Sequence, residues 1–186
     1  MRRLTAVITL VICLLVAALI TSRAPEDPTI QPVSARIGEP VSVEAGLSVT
    51  VTDIAVTHHL SGVLERDTEQ VYLVVGVDVQ VTGPASPILS LTVVSGHSTF
   101  VPGSNDLDLP LGGNPGYVSH VMVPVLMEQA DLSRSQVEIT VTGAMIRGFN
   151  RVARIDLGLT PERVDELLIG ANGPIDVQPA SVEVIQ

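Results

Sequence analysis

The longest regular pattern in the sequence lies between residues 69 and 82, where apolar and polar positions alternate. Every odd position from 71 to 81 is Val or Leu, whereas the even positions include Tyr, Gly, Asp and Gln. A period of two places one set of side chains on one face of a β-strand. Val agrees with this, because its branched side chain fits a half-buried pleated surface. The stretch therefore predicts a central strand whose odd face packs on a second apolar sheet.

Shorter alternating segments on both sides of this stretch predict further strands. The alternation changes phase between Val51 and Ile54, which predicts a β-bulge or a change of sheet. The Gly- and Pro-rich residues 103–116 predict a long loop. Short strands separated by turn signals are typical of a sandwich and not of a βαβ fold. The main predicted strands are residues 47–56, 89–93, 117–126, 137–141, 152–157 and 181–185.

One segment, residues 161–169, predicts an α-helix. Thr160 is a suitable N-cap, Pro161 suits the first helical position, and Glu162 complements the helix dipole. Gly170 follows the last apolar position, where glycine commonly ends a helix. We therefore expect one short helix near the C-terminus of an otherwise all-β chain.

The N-terminus predicts a membrane segment. Arg2 and Arg3 precede an apolar run over residues 4–20. Seventeen residues at a helical rise span about 26 Å, close to the thickness of the hydrocarbon layer. Basic residues on the short N-terminal side favour a cytoplasmic N-terminus and an extracytoplasmic chain. Residues 1–21 are therefore predicted to be a single-pass signal-anchor in the cell membrane.

Cleavage of this segment is the open alternative. A signal peptidase requires small residues before its site, and Pro25 would follow a cut after Ala24. An uncleaved anchor agrees better with the sequence than a cleaved signal peptide, which would give a secreted protein. Cys13 follows Ile12, whereas a lipoprotein site needs a small residue there, so lipidation is disfavoured.

The remaining chain divides into a linker and a domain. Residues 22–40 contain four prolines and no apolar period, which predicts an extended linker. Residues 41–186 form the predicted extracytoplasmic sandwich, with residues 150–186 as an added C-terminal element. The domain contains no cysteine, so its stability must come from an aliphatic core.

The charge of the chain excludes one class of partner. All ten basic residues are Arg, and the chain after residue 20 holds eight of them against twenty acidic residues, a formal charge of −12. Nucleic acids and anionic headgroups are usually bound by basic patches. We therefore expect no nucleic-acid partner, and the acidity also favours solubility.

Two groups of residues are candidate metal ligands. His120 and Met122 are two residues apart on one strand face, a spacing that copper sites use, and His97 is a further candidate. The alternative is that they are ordinary exposed residues of an outer sheet face. His58 and His59 are adjacent and point to opposite faces, so they do not chelate together.

A calcium site is the other metal hypothesis. Asn105, Asp106 and Asp108 provide oxygen ligands in the predicted loop. They lack the full spacing of a known calcium loop, and the preference of Asn and Asp for turns explains them equally well. Neither hypothesis is strong enough to assign a metal or cofactor.

The sequence contains no pattern typical of an enzyme. Its serines lack the G-x-S-x-G elbow, and residues 112–116 lack the Lys and the following helix of a phosphate loop. We therefore expect no catalytic residues and no enzymatic activity.

The order of these elements resembles a known family. The segments VTVTDIAV, VYLVVGVDVQVTG, SLTVVSGHSTFVP, NPGYVSHVMVPV and VEITV follow one another between residues 38 and 143. This resembles the telokin-like, immunoglobulin-like domains of unknown function in bacterial exported and membrane-anchored proteins. The resemblance implies an immunoglobulin-like antiparallel β-sandwich at the cell surface and no catalytic set.

These observations together predict a membrane-anchored binding or scaffolding module of the bacterial cell envelope. Its partners would be the membrane, through residues 4–20, and an envelope protein. A sheet edge or the loop at 103–116 would supply the contacts. The alternative function is that of a secreted or envelope protein that binds copper or calcium.

Overall fold

The computed structural model describes residues 30–84, 86–103, 111–142 and 150–185, and most of these residues form β-strands. In chain order the elements are β1 (Ile30–Arg36), β2 (Val41–Glu44), β3 (Leu47–Gly62), β4 (Arg66–Val81), β5 (Ile88–Ser95), β6 (Ser98–Phe100), β7 (Leu111–Gly112), β8 (Tyr117–Met127), a 3₁₀ helix (Gln129–Arg134), β9 (Ser135–Thr142), β10 (Asn150–Asp156), α1 (Pro161–Gly170), β11 (Ile175–Val177) and β12 (Ser181–Val184).

The strands form two sheets that enclose an aliphatic core. The first sheet has the order β1-β10-β9-β5-β6, and β7 also pairs with β5. The second has the order β11-β3-β4-β8-β12, and β2 also pairs with β3. β4 pairs antiparallel with both β3 and β8, and β9 pairs antiparallel with β5 and β10. The prediction of an all-β sandwich is confirmed.

The predicted central strand is the centre of the second sheet. The six odd-numbered residues of β4 from 71 to 81 are at most 1% exposed, and they belong to the core between the sheets. Burial of each such side chain contributes about 1.5–3 kcal/mol before the entropy of ordering is subtracted. Val121, Val123 and Val125 of β8 face the same core.

The change of phase in β3 is a β-bulge, as one of the two predicted alternatives stated. The register with β4 shifts between Val51 and Asp53. Val51 pairs with Val77, whereas Asp53 pairs with Gly76, so an extra residue is accommodated on β3. The apolar alternation changes phase there because the bulge moves the following side chains to the other face.

The segment predicted as a linker contains a strand. β1 begins at Ile30 and is the edge strand of the first sheet, with Ala35 buried and Val33 packed against the core. An edge position accommodates Pro32, whose missing N–H would break a central ladder. Val33, Ala35 and Ile37 alternate with polar residues and contact the core, a strand pattern that the prediction missed because of the neighbouring prolines.

Residues 150–185 contribute to both sheets. β10 lies between β1 and β9 in the first sheet, while β11 and β12 pair with β3 and β8 in the second. Val177 of β11 is fully buried in a smaller cluster with Tyr72 and Val74, on the face of β4 opposite the main core. The C-terminal segment therefore covers part of the outer face of the second sheet.

The predicted helix is confirmed with closely similar bounds. α1 begins at Pro161 and ends at Gly170, and the Thr160 side chain accepts a hydrogen bond from the Arg163 N–H. Hydrogen bonds from the Glu162 backbone and from the Thr160 side chain hold the pKa of the Glu162 carboxyl below its usual value.

The predicted membrane anchor lies outside the described residues, as do residues 22–29 of the predicted linker. Within the described ranges, no helix is long and apolar enough to cross a membrane.

Candidate functional site

A cleft lined by both polar and apolar residues lies on the outer face of the second sheet. Its volume is about 330 Å³, and its walls come from β3, β4, β8, the first residue of β12 and the segment that precedes it. The lining residues are Thr52, Asp53, Gly76, Val77, Asp78, His120, Val121, Met122, Gln178, Pro179 and Ser181. Gly76 and Asp78 of β4 lie at this cleft because the odd-numbered residues of the strand fill the core on the other face.

The floor of the cleft is shaped by a glycine and the bulge opposite it. A Cβ atom at Gly76 would collide with the Asp53 carboxylate and would lie 2.7 Å from Thr52 Oγ1. The Thr52 hydroxyl donates a hydrogen bond to Asp53 Oδ1 over 3.1 Å. The absence of a side chain at Gly76 therefore leaves room for the Asp53 carboxylate to lie across β4.

An aspartate–histidine pair lines the cleft next to Gly76. Asp78 and His120 are directly opposite each other on β4 and β8, and 2.6 Å separates Oδ1 from Nδ1. A carboxylate accepts hydrogen bonds, so Nδ1–H is the donor in this pair. Because the two side chains are 30% and 36% exposed, the pair is only partly screened by solvent.

The second ring nitrogen of His120 has no hydrogen-bond partner among the described residues, although the atom is buried. Glu183 Oε2 lies 3.8 Å away, which is too long for a hydrogen bond. A neutral His120 with its proton on Nδ1 would carry a lone pair on Nε2 that faces Glu183. This nitrogen can accept a hydrogen bond, or it can coordinate a metal ion with the carboxylate orienting the ring.

Asp78, His120 and Ser181 occupy directly opposed positions on three neighbouring strands. This is the residue order of a charge-relay triad, in which the histidine must contact the serine hydroxyl. Nε2 of His120 has no hydrogen bond from Ser181 in the described structure. The row therefore lacks the contact that would activate the serine as a nucleophile.

The structure brings together two of the three residues predicted as copper ligands. Met122 pairs with Gly76 and lines the same cleft as His120. His97 lies in the turn between β5 and β6 of the other sheet. Within the described part of the chain, no group of three or more His, Cys, Asp or Glu side chains has the geometry of a metal site.

The predicted calcium ligands, Asn105, Asp106 and Asp108, lie outside the described residues. The adjacent histidines have separate hydrogen-bond partners, and their rings lie edge to face with 6.4 Å between the centroids. His58 Nδ1 lies 2.6 Å from the carbonyl oxygen of Gln70, and His59 Nδ1 lies 2.8 Å from Asp67 Oδ1.

Sequence reasoning missed Asp53, Gly76 and Asp78 as parts of the site. Two features of the sequence could have pointed to Asp53 and Gly76. One is a glycine within the most apolar strand, and the other is the change of phase next to Asp53. Glycine inside a strand often marks a bulge or a close approach of another group. The pairing of β3 with β4 was needed to connect the two signals.

The fold and the cleft define this chain as a two-sheet β-sandwich with a cleft outside its core. Most of its strand pairs are antiparallel, whereas the pair of β11 with β3 is parallel. No protein-family model matches the sequence, and a search of curated proteins also finds no match.

Two solved structures are similar to this chain. An uncharacterized β-sandwich protein from Clostridium difficile has a TM-score of 0.46 at 13% identity, with coverage of 70% of this chain and 99% of that one. A candidate lipoprotein from Bacillus subtilis has a TM-score of 0.48 at 14% identity, with coverage of 73% of this chain and 42% of that one. At these values neither similarity indicates a function.

Proposed function

We propose that this protein is a binding or scaffolding module of the bacterial cell envelope. In this proposal residues 4–20 hold it in the cytoplasmic membrane, and an immunoglobulin-like sandwich of the telokin-like kind is displayed outside. An envelope protein is the proposed partner. The apolar run behind Arg2 and Arg3 supports the location and orientation of the anchor.

The cleft on the second sheet carries the proposal of a binding role. Its polar side chains on β3, β4 and β8 stand on strands whose opposite face packs against the core, so this part of the sheet is a rigid platform for them. Binding sites are typically concave and combine an apolar lining with a few polar groups in fixed positions, as this cleft does. Asp53, Asp78 and Glu183 make the surroundings of the cleft acidic, which disfavours nucleic acid as the partner.

Crosslinking of the intact membrane form in its native envelope tests this function. The Asp53→Lys variant reverses a charge in the cleft at an exposed position, and Glu44→Gln changes an exposed acidic residue on β2 as the control. We expect wild type and Glu44→Gln to capture the same envelope protein, and Asp53→Lys to capture much less. No protein above background would contradict the function, and equal capture by Asp53→Lys would contradict the cleft as its site.

We also propose that the module is not an enzyme. The support is that the His120 ring lacks a hydrogen bond from the Ser181 hydroxyl. A fluorophosphonate probe, which labels activated serines, should leave the full-length protein unlabelled. Labelling that is lost in Ser181→Ala would contradict this part of the proposal.

Metal binding is the second candidate function, and the free Nε2 of His120 favours it. A carboxylate on the opposite ring nitrogen orients metal-bound histidines in many proteins, and Met122 in the same cleft is a soft ligand suited to copper. Calorimetry of the full chain with Cu²⁺, Zn²⁺ and Ca²⁺ tests whether the protein binds a metal ion at His120. Heat that is lost in His120→Gln and kept in His97→Gln would support this candidate. Absence of heat at micromolar protein would remove it.

A further inference from the structure

At the β12 edge of the second sheet, some backbone N–H and C=O groups have no hydrogen-bond partner among the described residues. β12 is the last strand in its sheet and pairs with β8. The N–H of Ile185 donates to the carbonyl oxygen of Gly116 over 2.9 Å, so this residue directs its backbone toward β8. Backbone groups alternate in direction along an antiparallel strand. The N–H and C=O groups of Val182 and Val184 therefore point away from the sheet, where no described residue pairs with them.

The side chains of β12 have two different faces. Val182 and Val184 lie on one face, opposite Ser119 and Tyr117, and their exposed fractions are 58% and 67%. Tyr117 is itself 39% exposed, so the three form an apolar strip along the edge. Glu183 lies on the other face, with its side chain 77% exposed.

We propose that β12 is a docking edge for an extended segment of a partner protein in which aliphatic and basic residues alternate. The added strand would bond to the free backbone groups of Val182 and Val184, as in other cases of strand addition. Its aliphatic side chains would cover the apolar strip, and its Lys or Arg side chains would face Glu183. This inference rests on the proposed binding function and specifies the chemistry of the partner.

Charge favours such a partner over a second copy of this chain. Two copies of β12 could pair antiparallel through the backbone groups that point away from β8. In one such register, Val182 lies opposite Val184 of the second copy. In that register the two Glu183 side chains are directly opposite, and like charges in this arrangement are destabilising. The whole chain also has a formal charge of −10, which opposes self-association and attracts a basic segment.

Two other strands at sheet edges are less suitable. β11, at the opposite edge of the second sheet, has Val177 fully buried, and its carbonyl oxygen already accepts from the Val63 N–H. β1, at an edge of the first sheet, contains Pro32, and proline commonly protects an edge from pairing.

The test uses labelled peptides of about eight residues, long enough for one strand. One peptide alternates Val with Lys, a second replaces each Lys by Glu, and a third has the first composition in a non-alternating order. Anisotropy is measured with the full chain in detergent. We expect binding of the first peptide, and binding weaker by about tenfold or more for the other two. No binding of the first peptide, or equal binding of all three, would overturn the inference.

Two substitutions at one position separate the backbone from the side chain. Val182→Pro removes an N–H that points away from β8, whereas Val182→Thr keeps it with a side chain of similar shape. We expect Val182→Pro to weaken peptide binding about tenfold and Val182→Thr to change it little, since one hydrogen bond is lost only in the first. Melting curves establish that both variants are folded. Equal binding by wild type and a folded Val182→Pro would overturn the inference.

The charge on the outer face has its own test. Glu183→Lys should reverse the preference, so that the Glu peptide binds better than the Lys peptide. An unchanged preference would overturn the basic character of the partner. Sedimentation of the full chain tests the second copy as occupant: a dimer that is present in wild type and lost in Val182→Pro would overturn the inference in favour of self-pairing.

The outcomes also separate this inference from the function on which it rests. If Val182→Pro still captures the envelope partner and wild type binds no peptide, the docking edge is wrong and the binding function stands. If neither wild type nor any variant captures a protein or a peptide, both are wrong.

Discussion

The carboxylate of Asp53, on β3, occupies the space above Gly76, on β4, where any side chain at residue 76 would begin. The two residues are cross-strand partners because the bulge after Val51 shifts the register of β3. A regular strand would have placed a different side chain at this point. The acidity of the cleft therefore depends on an irregularity in one strand and a missing side chain in the next.

This relationship predicts different results for two glycine substitutions. Gly76→Ala should change the free energy of unfolding by less than about 1 kcal/mol, because the colliding Asp53 and Thr52 side chains are exposed and can rotate away. Gly62→Ala should lose about 1–3 kcal/mol, since Gly62 has φ 87° and a Cβ there would meet the backbone oxygen of Val177. Urea unfolding of both variants measures the difference, and equal losses would contradict it.

The aliphatic core should be sensitive to truncation in the central strand. Leu73 is fully buried, and Leu73→Ala should lower the free energy of unfolding by about 2–5 kcal/mol through lost burial and the cavity that remains. Val63 is 50% exposed, and Val63→Ala should stay within about 0.5 kcal/mol. Guanidinium unfolding of the two variants is the measurement. A small loss for Leu73→Ala would mean that the core is not packed as described.

The first turn of α1 should give the stability of the domain a dependence on acidic pH. The pKa of Glu162 is lowered in the folded protein, so its charged form stabilises the fold above the usual value near 4.5. This contribution is lost as the pH falls through the lowered pKa. Thermal unfolding of wild type and Glu162→Gln should therefore differ near neutral pH and converge in acid. A difference that persists or grows in acid would contradict this prediction.

The tautomer of His120 should depend on Asp78. In the neutral ring of wild type we expect the proton on Nδ1, because the Asp78 carboxylate accepts its hydrogen bond. In Asp78→Asn the amide can also donate, so the preference should weaken, while the free energy of unfolding changes by less than about 1 kcal/mol. Ring ¹⁵N chemical shifts report the tautomer directly. Protonation on Nε2 in wild type would contradict the described geometry.

Residues 4–20 should remain attached to the domain and hold it in the membrane fraction. We expect cell fractionation and intact mass measurement to show an uncleaved chain there. Residues 4–20 are long enough to span the membrane, and a cut before Pro25 would not suit a signal peptidase. A shortened protein in the soluble fraction would contradict the anchor and would direct the search to extracellular ligands.

The strands that alternate strongly could be predicted from the sequence, and so could the helix. The change of phase in β3 left a bulge and a change of sheet as alternatives, and the strand pairing decided for the bulge. β4 was predicted because six consecutive odd positions are aliphatic, and a period of two indicates a β-strand with one buried face. α1 was predicted because Thr160, Pro161 and Gly170 are local signals at its two ends. Such signals act over a few residues, so they are readable without knowledge of the fold.

The strand β1 and the cleft depended on the tertiary structure. Pro32 argues locally against a strand, and only the edge position of β1 makes it acceptable. Asp53, Asp78 and His120 are separated in sequence, and the register of β3, β4 and β8 brings them to one surface. Alternation determined which face of each strand is buried, whereas the pairing of strands determined which residues meet, because pairing depends on long-range contacts that no local pattern encodes.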